Sequence, residues 1–232
     1  MNSKQLIVAL DYNDASQALT LIDQLDPKWC AVKIGSELFL RTGPEFVRGI
    51  VKKGYRIFLD LKFHDIPNTV AQACTAAADL GVWMVNVHAS GGLAMLQAAH
   101  DAIMTYGPHR PYLIAVTVLT SLRQANLAGV GIQTTLLQQV ERLALLAHEA
   151  RLDGVVCSAW EVAHVKAIGG QTFLTVTPGI RLPGDAVDDQ ARVITPQEAL
   201  NFGSDFLVVG RSITRAADPA GVIKSLLSLK PV

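Results

Sequence analysis

The 232-residue sequence is poor in cysteine and carries no excess of charge of either sign. Its 20 basic residues balance its 20 acidic residues and form no long basic run, so neither nucleic acid nor an acidic membrane is an expected partner. The three cysteines, Cys30, Cys74 and Cys157, lie far apart in apolar segments and form no CxxC or other zinc spacing. We therefore expect buried free thiols and a protein of the reducing cytoplasm.

Long hydrophobic runs are also missing, although 50% of the residues are hydrophobic. No apolar stretch has the length needed to span a bilayer, and the first apolar run is too short for a signal peptide. No membrane association is expected. The HExxH, Walker A and GxSxG motifs are absent, which argues against a zinc protease, a P-loop NTPase or a serine hydrolase of the common types. What remains is the composition of a well-buried globular protein.

Short apolar runs alternate with segments of helical periodicity along the whole chain. Runs with so few polar residues are typical of parallel strands that are buried on both faces. Eight strand–helix units in a chain of this length predict one domain over residues 1–232, a (β/α)8 TIM barrel. A doubly wound sheet is the alternative, but Asp11 to Asn13 stand where its glycine-rich phosphate loop would follow the first strand. The predicted strands are Gln5–Leu10, Cys30–Ile34, Tyr55–Leu61, Val82–His88, Pro111–Val118, Gly154–Cys157, Phe173–Val176 and Asp205–Val209, and the predicted helices are Ala15–Gln24, Gly43–Lys53, Ala71–Leu80, Leu93–Tyr106, Gln133–Ala150, Trp160–Ile168, Pro196–Asn201 and Pro219–Leu229.

Polar residues gather where the predicted strands end, and in a barrel these ends form the active site. Asp60 and Lys62 are two positions apart, so on a regular strand they would face the same way, and Asp65 follows closely. A surface ion pair would explain these three residues alone. It does not explain why polar residues recur at the ends of the other strands. The predicted cluster comprises Asp11, Lys33, Asp60, Lys62, Asp65, His88, Thr120, Ser121, Arg181, Gly210 and Arg211.

The ends of the last two strands suit a phosphate group. Gly210 and Arg211 precede a segment, Ser212–Arg215, that is long enough for one helical turn. Barrels commonly bind phosphate with the loops after strands seven and eight and with such a short helix. Arg181 and Gln190, on a long loop after strand seven, would close over the same anion as part of a mobile lid. Solvated surface arginines are the plainer alternative.

A lysine between two carboxylates stays protonated, because opposite charges favour its charged form. Lys62, flanked by Asp60 and Asp65, is therefore predicted to donate a proton and not to form a Schiff base, which needs an apolar pocket or cationic neighbours. Mg²⁺ on the two carboxylates is the alternative, but Lys62 competes with a metal for the same negative charge. The six histidines form no ligand-spaced cluster, so no metal site is predicted. We interpret His64 as structural and assign no role to His88.

Seven short motifs, spread along the chain, resemble in sequence and in order those of a known family, the bacterial single-function orotidine 5′-phosphate decarboxylases. The resemblance covers essentially the whole chain. It implies a (β/α)8 barrel that works as a homodimer. It also implies conversion of orotidine 5′-phosphate to UMP and CO₂, the last step of de novo UMP synthesis, with neither metal nor organic cofactor. The motifs are Ala9–Asp11, Val32–Gly35, Phe58–Val70, Val116–Ser121, Thr177–Arg181, Asp188–Gln190 and Val209–Arg211.

The resemblance also implies roles for individual residues. Lys62 would protonate C6 of the pyrimidine, and Asp60 would face the departing carboxylate. Lys33 would bridge Asp60 to the ribose and complete, with Asp65, an array of four alternating charges. The remaining substrate contacts would be Asp65, Ile66 and Thr69 in the neighbouring subunit's site, Asp11 at the ribose, Thr120 and Ser121 at the pyrimidine, and Arg181, Gln190, Gly210 and Arg211 at the phosphate.

Two other functions are compatible with the same pattern. A hexulose-phosphate synthase-like lyase of the same superfamily also carries an Asp-x-Lys-x-x-Asp run, but works with Mg²⁺. It predicts aldol chemistry that is sensitive to EDTA. A non-catalytic barrel that binds a phosphate is the second alternative, and it predicts that replacing Lys62 leaves function untouched.

Overall fold

The protein is a closed barrel of parallel strands. The computed structural model describes residue 1, residues 5–185 and residues 193–230. Within these ranges, eight strands pair in chain order and β8 pairs with β1, which confirms the predicted (β/α)8 barrel. The strands are β1 (Leu6–Ala9), β2 (Ala31–Gly35), β3 (Ile57–Phe63), β4 (Met84–His88), β5 (Tyr112–Val116), β6 (Gly154–Val156), β7 (Leu174–Thr177) and β8 (Phe206–Val209).

Each strand is followed by at least one helix before the next strand begins or the described chain ends. The helices are α1 (Ala15–Gln24), α2 (Ser36–Lys52), α3 (Pro67–Asp79), α4 (Leu93–Met104), α5 (Gln124–Leu127), α6 (Leu136–Glu149), α7 (Val162–Gly169), α8 (Pro196–Asn201), α9 (Arg211–Thr214) and α10 (Pro219–Ser228). Short 3-10 turns occur at Ala89–Gly91, Gly107–His109, Ala128–Val130 and Ala159–Glu161.

Local sequence signals explain where several helices begin. Asp14 precedes α1, and its side chain accepts a hydrogen bond from the Ser16 backbone N–H at 2.9 Å. Thr135 and Thr195 precede α6 and α8 and form reciprocal capping boxes with the third residue of each helix. Such caps satisfy backbone N–H groups that have no partner within the helix. Pro67 occupies the first turn of α3, where its missing N–H costs nothing.

Helix α2 departs from its predicted bounds. The sequence predicts a helix from Gly43, whereas α2 begins at Ser36 and contains a break at Gly43, where φ is +72°. Glycine tolerates this left-handed conformation, and Pro44 then starts the second half with its missing N–H at a helix start. The Gly-Pro pair therefore separates two helical segments. The sequence predicted the second segment and missed the first.

The core has two parts, separated by the wall of the barrel. Outward-facing strand residues pack with the helices in one large cluster of buried side chains. Inward-facing residues fill the centre of the barrel, because alternate residues of a strand point to opposite faces. The inner cluster consists of Ile7, Ala9, Ala31, Phe58, Met84, Ile114, Val176 and Val208.

On three neighbouring strands, the inward-facing residues change from apolar to polar two positions after the inner cluster. Ala31, Phe58 and Met84 of the inner cluster are followed at that spacing by Lys33, Asp60 and Asn86. These three polar residues are buried, with 8%, 8% and 0% of their surface exposed. The apolar centre of the barrel thus supports a buried polar layer at the carboxyl ends of the strands.

The structure bears on two predictions, one about the cysteines and one about membrane-spanning segments. All three cysteines are buried and outside any disulfide, as expected from their apolar surroundings. Burial raises the pKa of Cys30 and of Cys74 to about 12, so both thiols stay protonated at neutral pH. Among the described residues, no helix is both long enough and apolar enough to cross a membrane.

Candidate active site

A cavity of about 780 Å³ opens at the carboxyl ends of the strands. The residues that follow β1, β5, β7 and β8 line it, together with residues of β2 and β3. Most of the predicted site residues meet here. Those that line the cavity are Asp11, Lys33, Asp60, Lys62, Thr120, Ser121, Arg181, Gly210 and Arg211.

Four charged side chains form a continuous chain across the first three strands. Lys33 Nζ lies 2.9 Å from Asp11 Oδ1 and 3.2 Å from Asp60 Oδ2. Lys62 Nζ lies 2.6 Å from Asp60 Oδ1. The signs alternate from Asp11 to Lys62, so each charge has an oppositely charged neighbour. We call this set the charged chain. Asp11 is its fourth member here, and the place of Asp65, which the resemblance implies in the neighbouring subunit's site, stays a prediction.

The charged chain keeps its buried members ionised. Burial alone would raise the pKa of Asp60, but the ammonium groups of Lys33 and Lys62 outweigh burial and lower that pKa. Burial alone would lower the pKa of Lys33, but Asp60 and Asp11 outweigh it and raise that pKa. Opposite charges at hydrogen-bond distance favour the charged form of both partners. Asp60 is therefore a carboxylate and Lys33 an ammonium at neutral pH.

Lys62 does not sit on a regular strand. The pairing of β3 with β4 shifts between Leu59 and Phe63, and Lys62 adopts a φ of +54°. The side chains of Asp60 and Lys62 do lie on the same side, as predicted, but regular alternation along a strand is not the cause. Their side chains meet because the bulge redirects Lys62 toward Asp60.

Asn86 belongs to this cluster, although sequence analysis missed it. It lies on β4, and its side chain hydrogen bonds both to Asp60 and to the backbone of Lys62. Alternation along the strand gives a signal that was available: Met84 faces inward, so Asn86 does too. An amide at an inward position of an otherwise apolar strand needs partners, and the charged residues of β3 provide them.

His88, which the sequence left without a role, lies behind the charged chain. Its ring centroid is 5.5 Å from that of His64, and it is not among the residues that line the cavity. Burial lowers the pKa of His88, and the nearby His64 and Lys62 lower it further. His88 is therefore neutral at pH 7 and adds no charge beside Lys62.

A second group of residues lines the cavity from the last strands. Arg211 begins the short helix α9, one residue before the predicted segment, and Arg181 follows β7. Arg215 also lines the cavity and was missed as a site residue, although it ends the predicted segment Ser212–Arg215. Because three arginines and the backbone of Gly210 surround this end of the cavity, it suits an anion.

The loop after β7 is tied to the turn after β8. Ile180 pairs with Ile194, and the Arg181 N–H donates to the Ile194 carbonyl at 3.0 Å. Ser212 of α9 donates its hydroxyl to the carboxylate of Asp185. Gln190 and the Asp188–Gln190 motif lie outside the described residues, so the predicted contact of Gln190 with the anion stays a prediction.

Comparison with known proteins identifies the family. The sequence model of the orotidine 5′-phosphate decarboxylase / HUMPS family matches residues 4–226. An orotidine 5′-phosphate decarboxylase of Legionella pneumophila (strain Paris) is 60% identical over 223 residues, which cover 96% of this chain and 97% of that protein. The chain belongs to the orotidine 5′-phosphate decarboxylase / HUMPS family. The resemblance seen in the motifs is confirmed.

Other members of the orotidine 5′-phosphate decarboxylase / HUMPS family agree in sequence and in fold. An orotidine 5′-phosphate decarboxylase of Vibrio atlanticus (strain LGP32) is 54% identical over 226 residues, covering 97% of this chain and 98% of that protein. The crystal structure of orotidine 5′-phosphate decarboxylase from Lactobacillus acidophilus superposes with a TM-score of 0.85 at 39% identity, covering 97% of this chain and 99% of that one.

One group of residues that the resemblance to this family singled out lies apart from the cavity. Asp65, Ile66 and Thr69 are exposed and are not among the cavity-lining residues of their own chain. The Asp65 carboxylate accepts a hydrogen bond from the Ile66 N–H at 2.6 Å, and 67% of the Ile66 surface is exposed. The structure therefore does not bring these residues to the charged chain within one subunit.

Proposed function

We propose that the chain converts orotidine 5′-phosphate to UMP and CO₂, the last step of de novo UMP synthesis, without a metal or an organic cofactor. The observation that carries this proposal is the charged chain of Asp11, Lys33, Asp60 and Lys62, whose end ammonium lies at the wall of the cavity. Relatives that are 54% to 60% identical over nearly their whole length carry the name of this enzyme.

Lys62 is the proposed proton donor. Loss of CO₂ leaves negative charge at C6 of the pyrimidine, where the ring delocalises it poorly. An ammonium that is held in place before the reaction stabilises this charge and then transfers its proton to C6. Lys62 suits the task because the contact with Asp60 at 2.6 Å orients its ammonium, while 36% of its side chain remains exposed for contact with substrate.

Asp60 is proposed to face the substrate carboxylate. Three donors surround its two oxygens: Lys62 and Asn86 at Oδ1 and Lys33 at Oδ2. They keep Asp60 ionised and fixed. As the carboxylate leaves as neutral CO₂, the negative charge moves to C6, where the ammonium of Lys62 compensates it. The arrangement therefore favours the charge distribution of the transition state over that of the bound substrate.

The other lining residues are proposed to hold the rest of the nucleotide. Asp11 and Lys33, which contact each other, would bind the ribose hydroxyls. Thr120 and Ser121, which follow β5 and line the cavity, would contact the pyrimidine. Hydroxyl groups both donate and accept hydrogen bonds, so they match the carbonyl and N–H groups at the edge of the ring.

The arginine-lined end of the cavity is proposed to bind the phosphate. Replacing Arg211 by alanine is then expected to raise KM for orotidine 5′-phosphate roughly 10- to 100-fold, since charge-assisted hydrogen bonds to the phosphate are lost. Steady-state kinetics on orotidine, which lacks the phosphate, provide the control. Its slow turnover should not change in the variant. An equal loss on both substrates would rule out a phosphate contact.

A homodimer with shared sites is part of the proposal. Asp65, Ile66 and Thr69 are exposed just before and within the first turn of α3 and do not line their own cavity, which supports a contribution to the neighbouring subunit's site. Ile66 is a large apolar side chain with 67% of its surface exposed, as expected of a residue that a second subunit covers. A cytoplasmic location remains a prediction from the reduced cysteines.

Metal removal separates this function from the hexulose-phosphate synthase-like alternative. Dialysis against EDTA is expected to leave the loss of orotidylate absorbance unchanged, because two ammonium groups and an amide already occupy the oxygens of Asp60. A Mg²⁺-dependent lyase would instead lose its activity on a hexulose phosphate and recover it on addition of Mg²⁺. Decarboxylation that stops in EDTA and returns with Mg²⁺ would contradict the proposed mechanism.

A further inference from the structure

Asn86 lies at the centre of the buried polar layer. None of its surface is exposed, and it does not line the cavity. Its Nδ2 donates to Asp60 Oδ1 at 2.7 Å, and its Oδ1 accepts from the Lys62 backbone N–H at 2.8 Å. One amide therefore contacts both residues to which the proposed function gives the central roles.

The orientation of this amide is determined by its partners. A backbone N–H only donates and an ionised carboxylate only accepts, so the Asn86 oxygen must face Lys62 and its nitrogen must face Asp60. Flipping the amide would place two acceptors against each other on one side and two donors on the other. Asn86 thus links the two residues with a fixed polarity.

The bulge in β3 explains why a side chain is needed here. Leu59 pairs with Val85 and Phe63 with Val87, so β3 has more residues between these pairs than β4. Lys62 lies in the bulge with a φ of +54°, a conformation unfavourable for a residue with a Cβ. Its N–H bonds to the side chain of Asn86 instead of to a strand carbonyl.

We infer that Asn86 is a positioning residue for the decarboxylation: it fixes the Asp60 carboxylate and the bulge that aims the Lys62 ammonium into the cavity. It acts through these two residues and does not touch the substrate. The inference rests on the proposed function, because the reaction is its readout.

The charges around Asn86 determine how a substitution at this position would titrate. Asp60 and Lys62 of β3 contact it directly, and Lys33 of β2 contacts the far oxygen of Asp60. His88, two residues further along β4, is neutral because burial, His64 and Lys62 lower its pKa. The only anion that faces the Asn86 amide among the described contacts is therefore Asp60.

Replacing Asn86 by leucine, a larger side chain that branches at the same carbon, removes both hydrogen bonds. We expect kcat to fall about 100-fold, because catalysis is this sensitive to misplacement of a reacting group. KM should stay within about threefold of the parent value, since Asn86 does not line the cavity. Thr175→Val is the matched control: Thr175 is fully buried and its hydroxyl donates to the Asp205 carboxylate at 2.9 Å, away from the cavity. It should lower thermal stability and leave kcat unchanged.

Asn86→Asp provides a readout that a purely structural role would not affect. The introduced carboxyl has the shape of the amide. Its ionised form, however, places a negatively charged oxygen against Asp60 Oδ1. Contact between two carboxylates raises the pKa of one of them. The protonated form restores the pattern, since its O–H donates to Asp60 and its carbonyl accepts from Lys62. We expect kcat of this variant to rise roughly tenfold or more between about pH 9 and about pH 6, whereas kcat of the parent does not rise.

The results separate the inference from the function on which it rests. A parent protein without turnover of orotidine 5′-phosphate would overturn the proposed function and the inference with it. An active parent with Asn86→Leu within about threefold in kcat would overturn the inference alone. If Asn86→Leu does not fold, the test is the pH dependence of kcat in Asn86→Asp. A profile for Asn86→Asp that is parallel to that of the parent would overturn the inference.

Discussion

Replacing Lys62 by alanine abolishes the decarboxylation if the charged chain works as proposed, with an expected fall in kcat of about 10⁴-fold or more. The loss combines two effects of one ammonium group. It no longer stabilises the negative charge that develops at C6, and no proton donor remains at hydrogen-bond distance from that carbon. Among the described ion pairs, Lys62 is the cation at Oδ1 of Asp60, because Lys33 lies at Oδ2.

The fold and the binding of nucleotide should survive this substitution. Lysine and alanine both carry a Cβ, so the backbone strain at a φ of +54° is unchanged. Asp60 keeps Lys33 and Asn86 as partners. Binding of UMP by titration calorimetry and thermal unfolding measure these properties. Lys53→Ala is the control, since Lys53 also forms an ion pair, with Asp23 at 2.9 Å, and does not line the cavity. Turnover of Lys62→Ala within about tenfold of the parent would contradict its role as proton donor.

Mixing two inactive variants should restore activity if Asp65 completes the neighbouring subunit's site. In a heterodimer of Asp65→Ala and Lys62→Ala, one site combines both lesions and the other has none. Random exchange of subunits makes half of the dimers heterodimers, and one of their two sites is repaired, so the mixture should recover about a quarter of the parent activity. Each variant alone is expected to be inactive. Turnover should therefore rise from background in the separate variants to an easily measured rate in the mixture.

The complementation has an internal control. In a heterodimer of Lys62→Ala and Asp60→Asn, each site carries one lesion, because both residues belong to the charged chain of their own subunit. This mixture should stay inactive. Native mass spectrometry establishes that heterodimers form in both mixtures. Heterodimers of the first pair without activity would show that Asp65 acts within its own chain.

The barrel could be predicted from the sequence because its strands are buried on both faces. Runs such as Leu6–Ala9 and Phe206–Val209 contain no polar residue, and only a parallel sheet between helices buries such runs completely. Polar residues were then conspicuous at strand ends, which is why Lys33 and Asp60 were predicted correctly as neighbours in one cavity.

The arrangement within the site could be predicted only in part. Alternation assumes a regular strand, but the bulge at Lys62 depends on pairing with β4, which no local pattern of β3 contains. Asp11 joins Lys33 because β1 and β2 are neighbours in register, a tertiary property. The role of Asp65 stays a prediction, which the mixing experiment tests, because a single sequence does not say which surfaces of two chains would meet.

Asn86 was missed for a different reason. Amides carry no charge, so a pattern of alternating charges does not include Asn86. Its importance follows from burial, since an amide with no exposed surface must satisfy its donor and its acceptor within the protein. Because β4 lies beside β3, the partners of Asn86 are polar groups of β3, namely Asp60 and the backbone of Lys62.

The charged chain and the arginine-lined end come from different parts of the amino-acid sequence, although β1 and β8 are neighbours in the closed barrel. Asp11, Lys33, Asp60 and Lys62 all come from the first three strands, whereas Thr120, Arg181 and Arg211 follow β5, β7 and β8. The proposed proton-transfer residues and the proposed phosphate-binding residues are thus encoded by separate, consecutive stretches of the gene. Substitutions in the second stretch can therefore change how the phosphate end of the substrate is held without replacing a residue of the charged chain.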